Sequence, residues 1–381
     1  MSAKITDRLV YKAGMARVPI SGTFELTPMC NFSCKMCYVR RNAVEVEALG
    51  GLKAVEQWLK WAEEAKEKGM LYLLITGGEP LTYPGFWELY EGLIQMGFII
   101  TVNTNGSLIT DEVAQRFAKM QPKKINITLY GASNESYARL CGAEDGFDRV
   151  MKAVEILEKY KLRYKFNCSL TPYNYHELRE IYDLSRIHKV PIEIATYMFP
   201  PVRRDAGMED SAIRLSPEQA GYCSVEQMRL QLSEEQFLAY ARQKITYQRP
   251  PELPADDDGL AEGREMGCRA GRCSFWLDWQ GNISACGMIN SPKYSLEEET
   301  FARGWEQVVD STNKIRCLTG CSGCKNRKLC HTCISSAYCE TGDINGRPVY
   351  ICRMIEAEAK ACKEILLELD KKGDCSKDEK E

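Results

Sequence analysis

Three cysteines stand close together near the start of the chain: Cys30, Cys34 and Cys37, in the stretch MCNFSCKMCYVR. A four-iron cube has four iron corners and is closed by four thiolates. Three thiolates on one short loop leave one iron open for a substrate or cofactor. The alternative from spacing alone is zinc with a distant fourth ligand. Neighbouring segments weigh against zinc. Tyr38 follows the third cysteine, so an aromatic ring can stand beside a cluster. TGGEP (76–80) supplies Gly77 and Gly78 for close backbone approach and Glu79 as an anionic acceptor, ahead of Pro80. NTNG (103–106) brings further polar groups, Asn105 among them.

A second set of cysteines lies far away in sequence. Ten of the 18 fall between 268 and 352: Cys268, Cys273, Cys286, Cys317, Cys321, Cys324, Cys330, Cys333, Cys339 and Cys352. Two fully ligated four-iron clusters need eight thiolates, so two are spare. A pair of four-cysteine zinc knuckles is the competing reading, and CSGC suits it. The chain has only three histidines, His176, His188 and His331, which favours all-thiolate ligation.

The elements that must position these residues follow from pattern. TFELT (23–27), YLLIT (72–76), FIITVN (98–103), KINITLY (124–130), YKFNCSL (164–170) and IEIATY (192–197) read as strands, rich in β-branched and aromatic residues. Between them, 52–69, 147–160 and 175–189 carry helical apolar stripes. Val55, Leu59 and Ala62 form the first, which ends at Gly69. Repeated alternation of strand and helix predicts right-handed βαβ units and a parallel sheet. Six strands rather than eight predict an open, partial (β/α)6 barrel of the α/β class. Ligands beyond the C-terminal ends of its strands lie where such barrels place their active sites. Residues 216–245 read as helical, 248–267 as a Pro-, Gly- and acid-rich mobile loop, and 353–372 as an amphipathic helix before a charged tail.

Composition narrows the rest. The formal net charge of −3 over 381 residues gives no nucleic-acid footprint. No apolar run approaches the roughly 20 residues of a membrane span, and the N-terminus lacks a signal-peptide pattern, so a cytoplasmic location is expected. In that reducing compartment cysteines serve metals or catalysis more than disulfides.

Taken together, these residues resemble the radical S-adenosylmethionine (SAM) superfamily over about residues 22–200. Its C-x3-C-x2-C signature is matched by Cys30, Cys34 and Cys37. The aromatic residue that usually precedes the third cysteine is replaced by Met36, with Tyr38 just after. The resemblance implies that Gly77, Gly78, Glu79 and Pro80 bind the SAM amino group, and that Asn105, Thr128 and Arg139 make strand-end contacts to the cofactor. It implies that SAM chelates the open iron of a [4Fe-4S] cluster. An electron then cleaves SAM to methionine and a 5′-deoxyadenosyl radical, which abstracts a hydrogen atom. The C-terminal cysteines resemble a SPASM extension, in which two auxiliary [4Fe-4S] clusters are held. GNISAC (281–286) gives G-x4-C, and Cys321, Cys324 and Cys330 give C-x2-C-x5-C. By that resemblance the first auxiliary cluster takes Cys268, Cys273, Cys286 and Cys333, with Cys339 or Cys317 as rivals to Cys333. The second takes Cys321, Cys324, Cys330 and Cys352. The organisation expected is an extension (1–21), the partial barrel (22–215), a helical linker and mobile loop (216–267), the auxiliary-cluster domain (268–352) and a helix with a tail (353–381).

Such enzymes mostly modify ribosomally made peptides or proteins. Auxiliary clusters favour net oxidation, so a crosslink in a peptide is the expected product. Gly287, directly after Cys286, stands where sulfatase-maturing members carry an aspartate base, which disfavours formylglycine formation. A redox-neutral epimerase would need a hydrogen-donating thiol, for which Cys223 is the candidate; Cys141 and Cys168 read as buried small residues. A non-enzymatic iron–sulfur or zinc scaffold is the remaining alternative. Only 29 residues precede Cys30, so a leader peptide, if any, is expected to be read by another surface or by a separate protein. Arg203 and Arg204 could meet an acidic peptide, though a solvated loop is the commoner explanation. The partners expected are a peptide or protein substrate and a reductant such as flavodoxin or ferredoxin, with no nucleic acid and no membrane.

Overall fold

The computed structural model describes residues 5–200, 213–246, 268–315, 324–326, 329–330 and 333–378. Arg203, Arg204, Cys317, Cys321, His331 and the stretch 248–267 lie outside them. Helix α1 (Ile5–Ala16) precedes the barrel. The barrel units are β1 (Ser21–Glu25), α2 (Ala43–Ala48), α3 (Val55–Glu67), β2 (Tyr72–Thr76), α4 (Phe86–Gln95), β3 (Ile99–Thr104), α5 (Asp111–Lys119), β4 (Lys124–Leu129), α6 (Asn134–Cys141), α7 (Gly146–Lys159), β5 (Tyr164–Ser169), α8 (Leu178–Ile187) and β6 (Ile192–Ala195). Then come α9 (Pro217–Gln231), α10 (Glu234–Thr246), β7 (Ser274–Leu277), β8 (Asn282–Ser284), β9 (Tyr294–Ser295), α11 (Phe301–Asn313), α12 (Ile334–Thr341) and α13 (Val349–Asp378).

All six expected strands are present, within a residue or two of their expected bounds. They pair in parallel in the order β6-β5-β4-β3-β2-β1. The α/β class and the parallel partial barrel are therefore as expected. The sheet does not end at β1, however. β7 joins it in parallel, Ser21 opposite Ser274 and Phe24 opposite Leu277. β8 and β9 extend it antiparallel to nine strands. The region expected as a separate auxiliary domain is thus stitched into the barrel's own sheet. Trp61 Nε1 donates to the Leu296 carbonyl (3.2 Å), and Phe301 N–H to Glu64 (2.7 Å).

One face of each strand is sealed under helices. Phe24, Ile75, Val102 and Ile127 are fully buried in a core shared with Trp58, Phe117 and Val150. Alternation sends Thr23, Thr76, Asn103, Thr128 and Asn167 to the opposite, concave face. The stretch 216–245, expected to be helical, forms two helices, because Ser233 and Gln236 form a reciprocal N-terminal cap that starts α10. The last helix begins at Val349 and runs to Asp378, into the expected tail. Among the described residues no helix is long and apolar enough to cross a membrane.

Candidate active site

The three-cysteine loop leaves β1 at the carboxyl end of the sheet and is held from two sides. From β2, Gly78 N–H donates to the Thr27 carbonyl (2.6 Å) and Glu79 N–H to that of Met29 (2.9 Å). From α6, the carbonyls of Cys141 and Leu140 accept the N–H groups of Ser33 (2.8 Å) and Lys35 (3.0 Å). These are terminal helix carbonyls with no partner inside the helix, and the loop supplies one. Glycine is required at Gly78, because a Cβ there would sit 2.3 Å from the Met29 oxygen. At Gly77 it would sit 2.5 Å from the Thr27 oxygen.

Each cysteine sulfur receives donors. Phe32 N–H points at Cys30 Sγ (3.3 Å) and Arg40 N–H at Cys37 Sγ (3.3 Å). Asn105 Nδ2 adds a longer contact to Cys30 Sγ (3.7 Å). The neighbouring Cys141 thiol, more than the Tyr130 hydroxyl, holds the Cys34 thiol below its ordinary value despite burial. Burial, with smaller contributions from Glu79, Cys34 and Cys37, pushes Cys30 up to about 12. Metal coordination deprotonates a thiol outright, so ligation rather than surroundings must take that proton. Three sulfurs on one loop, each supplied with hydrogen-bond donors beside a glycine-walled strand end, suit a cube held by three thiolates.

Glu79 is fully buried, and its carboxylate accepts from Thr104 Oγ1 (2.8 Å), Asn105 N–H (2.8 Å) and Leu81 N–H (3.1 Å). Burial lifts it to about 7, against those three bonds. The carboxylate that the resemblance gives to the cofactor's amino group is therefore already engaged by the protein, tying β2 to β3. Pro80 opens the short turn that follows. Thr128 stands on the concave face of β4. Arg139 is exposed on α6, pairs with Glu135 (3.5 Å) and lies over the Tyr173 ring. Tyr38 belongs to a side cluster with Val39, Val46 and Trp279. Cys223 is buried in the core where α9 meets α13, its thiol pushed up to about 11 by burial and then by Glu226.

The concave face is polar. Asn103 and Asn126 sit opposite each other and are bonded at 2.6 Å. Lys165 lies beside Asn126, Asn167 beside Thr128, and Lys165 pairs with Glu193. Asn126 Oδ1 and Asn167 Oδ1 are buried with no hydrogen-bond partner. At the β1–β7 edge Trp276 Nε1 donates to the buried Glu25 (3.0 Å). A Cβ on Gly287 would sit 2.4 Å from that indole, so the residue after Cys286 has no room for a side chain.

The C-terminal cysteines are partly assembled. Cys286 lies within electrostatic reach of Cys333 and Cys268, and Cys268 of Cys273. Cys333 caps α12, where Ser336 N–H donates to its sulfur (3.3 Å). Cys339 instead gives its thiol to the Met288 carbonyl (3.2 Å). Cys324, Cys330 and Cys352 are half-buried, and Arg347 Nε contacts Cys352 Sγ (3.5 Å). Among the described residues no three Cys, His, Asp or Glu converge as the ligands of a single ion. Sequence reasoning missed Thr104, Tyr130, Cys141 and the Glu25–Trp276 pair. The one local signal was Cys141 directly before Gly142, where a helix end leaves carbonyls to be met.

Comparison with known proteins bears on the fold and loop together. Residues 24–185 match the Radical SAM superfamily. It is an enzyme family whose cysteine loop holds a SAM-binding [4Fe-4S] cluster. The AdoMet-dependent heme synthase of Methanosarcina barkeri is 24% identical over 86% of this chain and 95% of that protein. The antilisterial bacteriocin subtilosin biosynthesis protein AlbA of Bacillus subtilis is 28% identical over 43% of this chain and 36% of that protein. The crystal structure of Streptococcus suis SuiB bound to precursor peptide SuiA shares the fold, with a TM-score of 0.63 at 18% identity, covering 91% of this chain and 80% of SuiB.

Proposed function

We propose that this enzyme oxidatively modifies a ribosomally made peptide in the cytoplasm, with a crosslink as the favoured product. The observation that carries this reading is the concave face. Two buried amide oxygens there, on Asn126 and Asn167, lack donors. A buried acceptor without a partner costs free energy, and a substrate N–H recovers it. A peptide backbone offers such groups in series. The likeness to peptide-bound SuiB and to AlbA supports the same class.

When bound, the cluster and SAM supply hydrogen-atom abstraction. The chain's own residues do the rest. Cys30, Cys34 and Cys37 hold the cluster. Gly77 and Gly78 let the cluster loop close on β2, and Glu79 fixes Thr104 and Asn105 beside it. Thr128 and Asn167 flank the concave face, which excludes water from the reacting groups. Cys268, Cys273, Cys286 and Cys333, and separately Cys321, Cys324, Cys330 and Cys352, would hold auxiliary clusters that carry electrons away. A flavodoxin or ferredoxin would deliver the first electron, and a separate protein could present a leader peptide.

A second reading, maturation of a heme precursor, is favoured by the near full-length match to the heme synthase. One experiment separates them. The reduced, reconstituted enzyme is given SAM with either a short peptide encoded beside it or an iron-tetrapyrrole precursor. A peptide lighter by two hydrogens supports oxidation; unchanged mass with one deuteron from heavy water supports epimerisation. Turnover of the tetrapyrrole alone sinks the peptide reading.

A further inference from the structure

We propose that helix α1 and the loop carrying Cys268 and Cys273 form the docking surface for a small acidic electron-carrier protein of the flavodoxin or ferredoxin type. This rests on the reading that those two thiols help to hold a cluster. Large apolar side chains are mostly covered in this protein, but α1 exposes four within its 12 residues: Ile5, Leu9, Tyr11 and Met15, at 86, 39, 70 and 63%. Seven more are spread over all the other described residues. Bare apolar side chains gathered in one place mark an interaction site. Tyr11 and Met15, four apart, border a cavity of about 300 Å³ together with Cys268, Arg269, Arg272 and Cys273. The charge around them is positive. Arg8 and Lys12 of α1, with Arg269 and Arg272 of the loop, stand against Asp7 alone. The whole chain carries −3, so this face departs from the rest.

The helix is fastened to the molecule by its other face. Ala13 shares a buried cluster with Ile20 and Cys273, against Val10. Just past the helix end, Trp305 Nε1 donates to the Arg17 carbonyl (2.8 Å) and Arg17 Nη2 to Asn313 (2.6 Å). The Cys273 carbonyl accepts from Ser21 N–H (3.2 Å). Cys268 is exposed, and α1 runs so near Cys273 that a Cβ on Gly14 would touch its sulfur at 3.8 Å. A carrier seated on α1 therefore lies beside both thiols. One electron crosses this face per turnover. It passes from the substrate radical left by hydrogen abstraction to the oxidised carrier, and the accompanying proton goes to water. The positive rim steers an acidic partner and sets its association rate, while the apolar side chains supply contact. Electron-transfer encounters use interfaces at the small end of the size range, which one short helix and one loop can provide. A second copy of this chain is the poorer occupant, because two-fold pairing would set the positive rim against itself.

The test measures binding of an oxidised bacterial flavodoxin, and separately of a [4Fe-4S] ferredoxin, to the full-length, reconstituted enzyme by biolayer interferometry. At least one should bind, and its affinity should fall as salt rises from about 50 to about 200 mM, because screening shortens the reach of exposed charges. Arg8→Glu combined with Lys12→Glu should weaken binding about tenfold, chiefly through slower association. Tyr11→Ala should weaken it about threefold, chiefly through faster dissociation. Iron content should match the parent in both variants. Binding that neither variant alters, or no binding of either carrier at low salt, overturns the proposal. So does an enzyme dimer that the charge reversal splits in sedimentation, since α1 would then face a second copy. If the charge-reversed protein fails to fold, Tyr11→Ala decides alone. Cys268→Ala tests the underlying reading separately: loss of one cluster's iron sustains it, and unchanged iron overturns it, whatever the α1 variants do to carrier binding.

Discussion

The two cysteine regions are built on opposite plans. The N-terminal loop has three thiols; its own N–H groups point at Cys30 and Cys37, and backbone bonds from the β2 end and α6 hold the loop. The C-terminal region has ten thiols, and of the described ones Cys268, Cys273, Cys286 and Cys333 come near one another on short elements at the barrel's edge. The lesson is about where rigidity is spent. An open cluster that must present one iron in a fixed direction needs every ligand over-determined. If the C-terminal thiols close clusters of their own, the protein there need only supply thiolates.

That contrast can be broken most directly by removing the N-terminal set. Changing Cys30, Cys34 and Cys37 together to alanine should abolish 5′-deoxyadenosine formation, to the level of a protein-free control. Iron per chain should fall by only about a third if two auxiliary clusters remain. Loss of all iron would mean that the C-terminal cysteines hold no cluster of their own. A narrower test concerns two cysteines of the C-terminal region. Cys333 sits at a helix N-terminus, whereas Cys339 has given its thiol to Met288. Cys333→Ala should remove the iron of one cluster, and Cys339→Ala should leave iron content unchanged, by metal analysis. The reverse result would exchange their roles.

How much of this was legible before folding depends on sequence distance. Cys30, Cys34, Cys37, Gly77 and Gly78 announce themselves because cluster ligation and close backbone approach impose residue types at short, fixed spacings. The six parallel strands were legible from β-branched runs between helical stripes. β7 was not: Ser274–Leu277 is four residues among cysteines, and only pairing with β1 makes it part of the barrel. The bonds from Ser33 and Lys35 to the Cys141 and Leu140 carbonyls join residues about a hundred positions apart, and no local pattern encodes such contacts. The expectation for Glu79 as a cofactor contact met a similar limit. Its residue type was legible, but not that Thr104 and Asn105 would take up its oxygens.

Glu79 gives the N-terminal grip a pH dependence that the C-terminal region lacks a reason to share. Burial raises this carboxyl from the usual 4.5 to about 7 in the folded protein. A raised folded value favours the protonated form. The group's contribution to stability is therefore full below about pH 4.5 and is lost as the pH climbs through 7. The loss amounts to about 3 kcal/mol. Urea unfolding at pH 5 and pH 8 should show most of that difference, and Glu79→Gln should flatten it. An equal slope in the variant would assign the pH dependence elsewhere.

The smallest expected effects compare one glycine from each region. At Gly78 the obstacle to a side chain is the cluster loop itself, whose Met29 oxygen would lie 2.3 Å from the new Cβ. That atom is backbone and is already bonded to Glu79 N–H, so it cannot step aside without loosening the loop. Gly78→Ala should cost about 2 kcal/mol and weaken SAM binding with it. Gly342, which caps α12, has nothing within 4 Å of its would-be Cβ, and only its φ of +75° resists substitution. Gly342→Ala should cost about 1 kcal/mol and leave SAM affinity unchanged, as measured by equilibrium dialysis beside urea unfolding. Equal losses of SAM affinity in the two variants would mean that the barrel mouth and the auxiliary region behave as one rigid body. The contrast drawn between an over-determined open site and a self-supporting closed one would then fail.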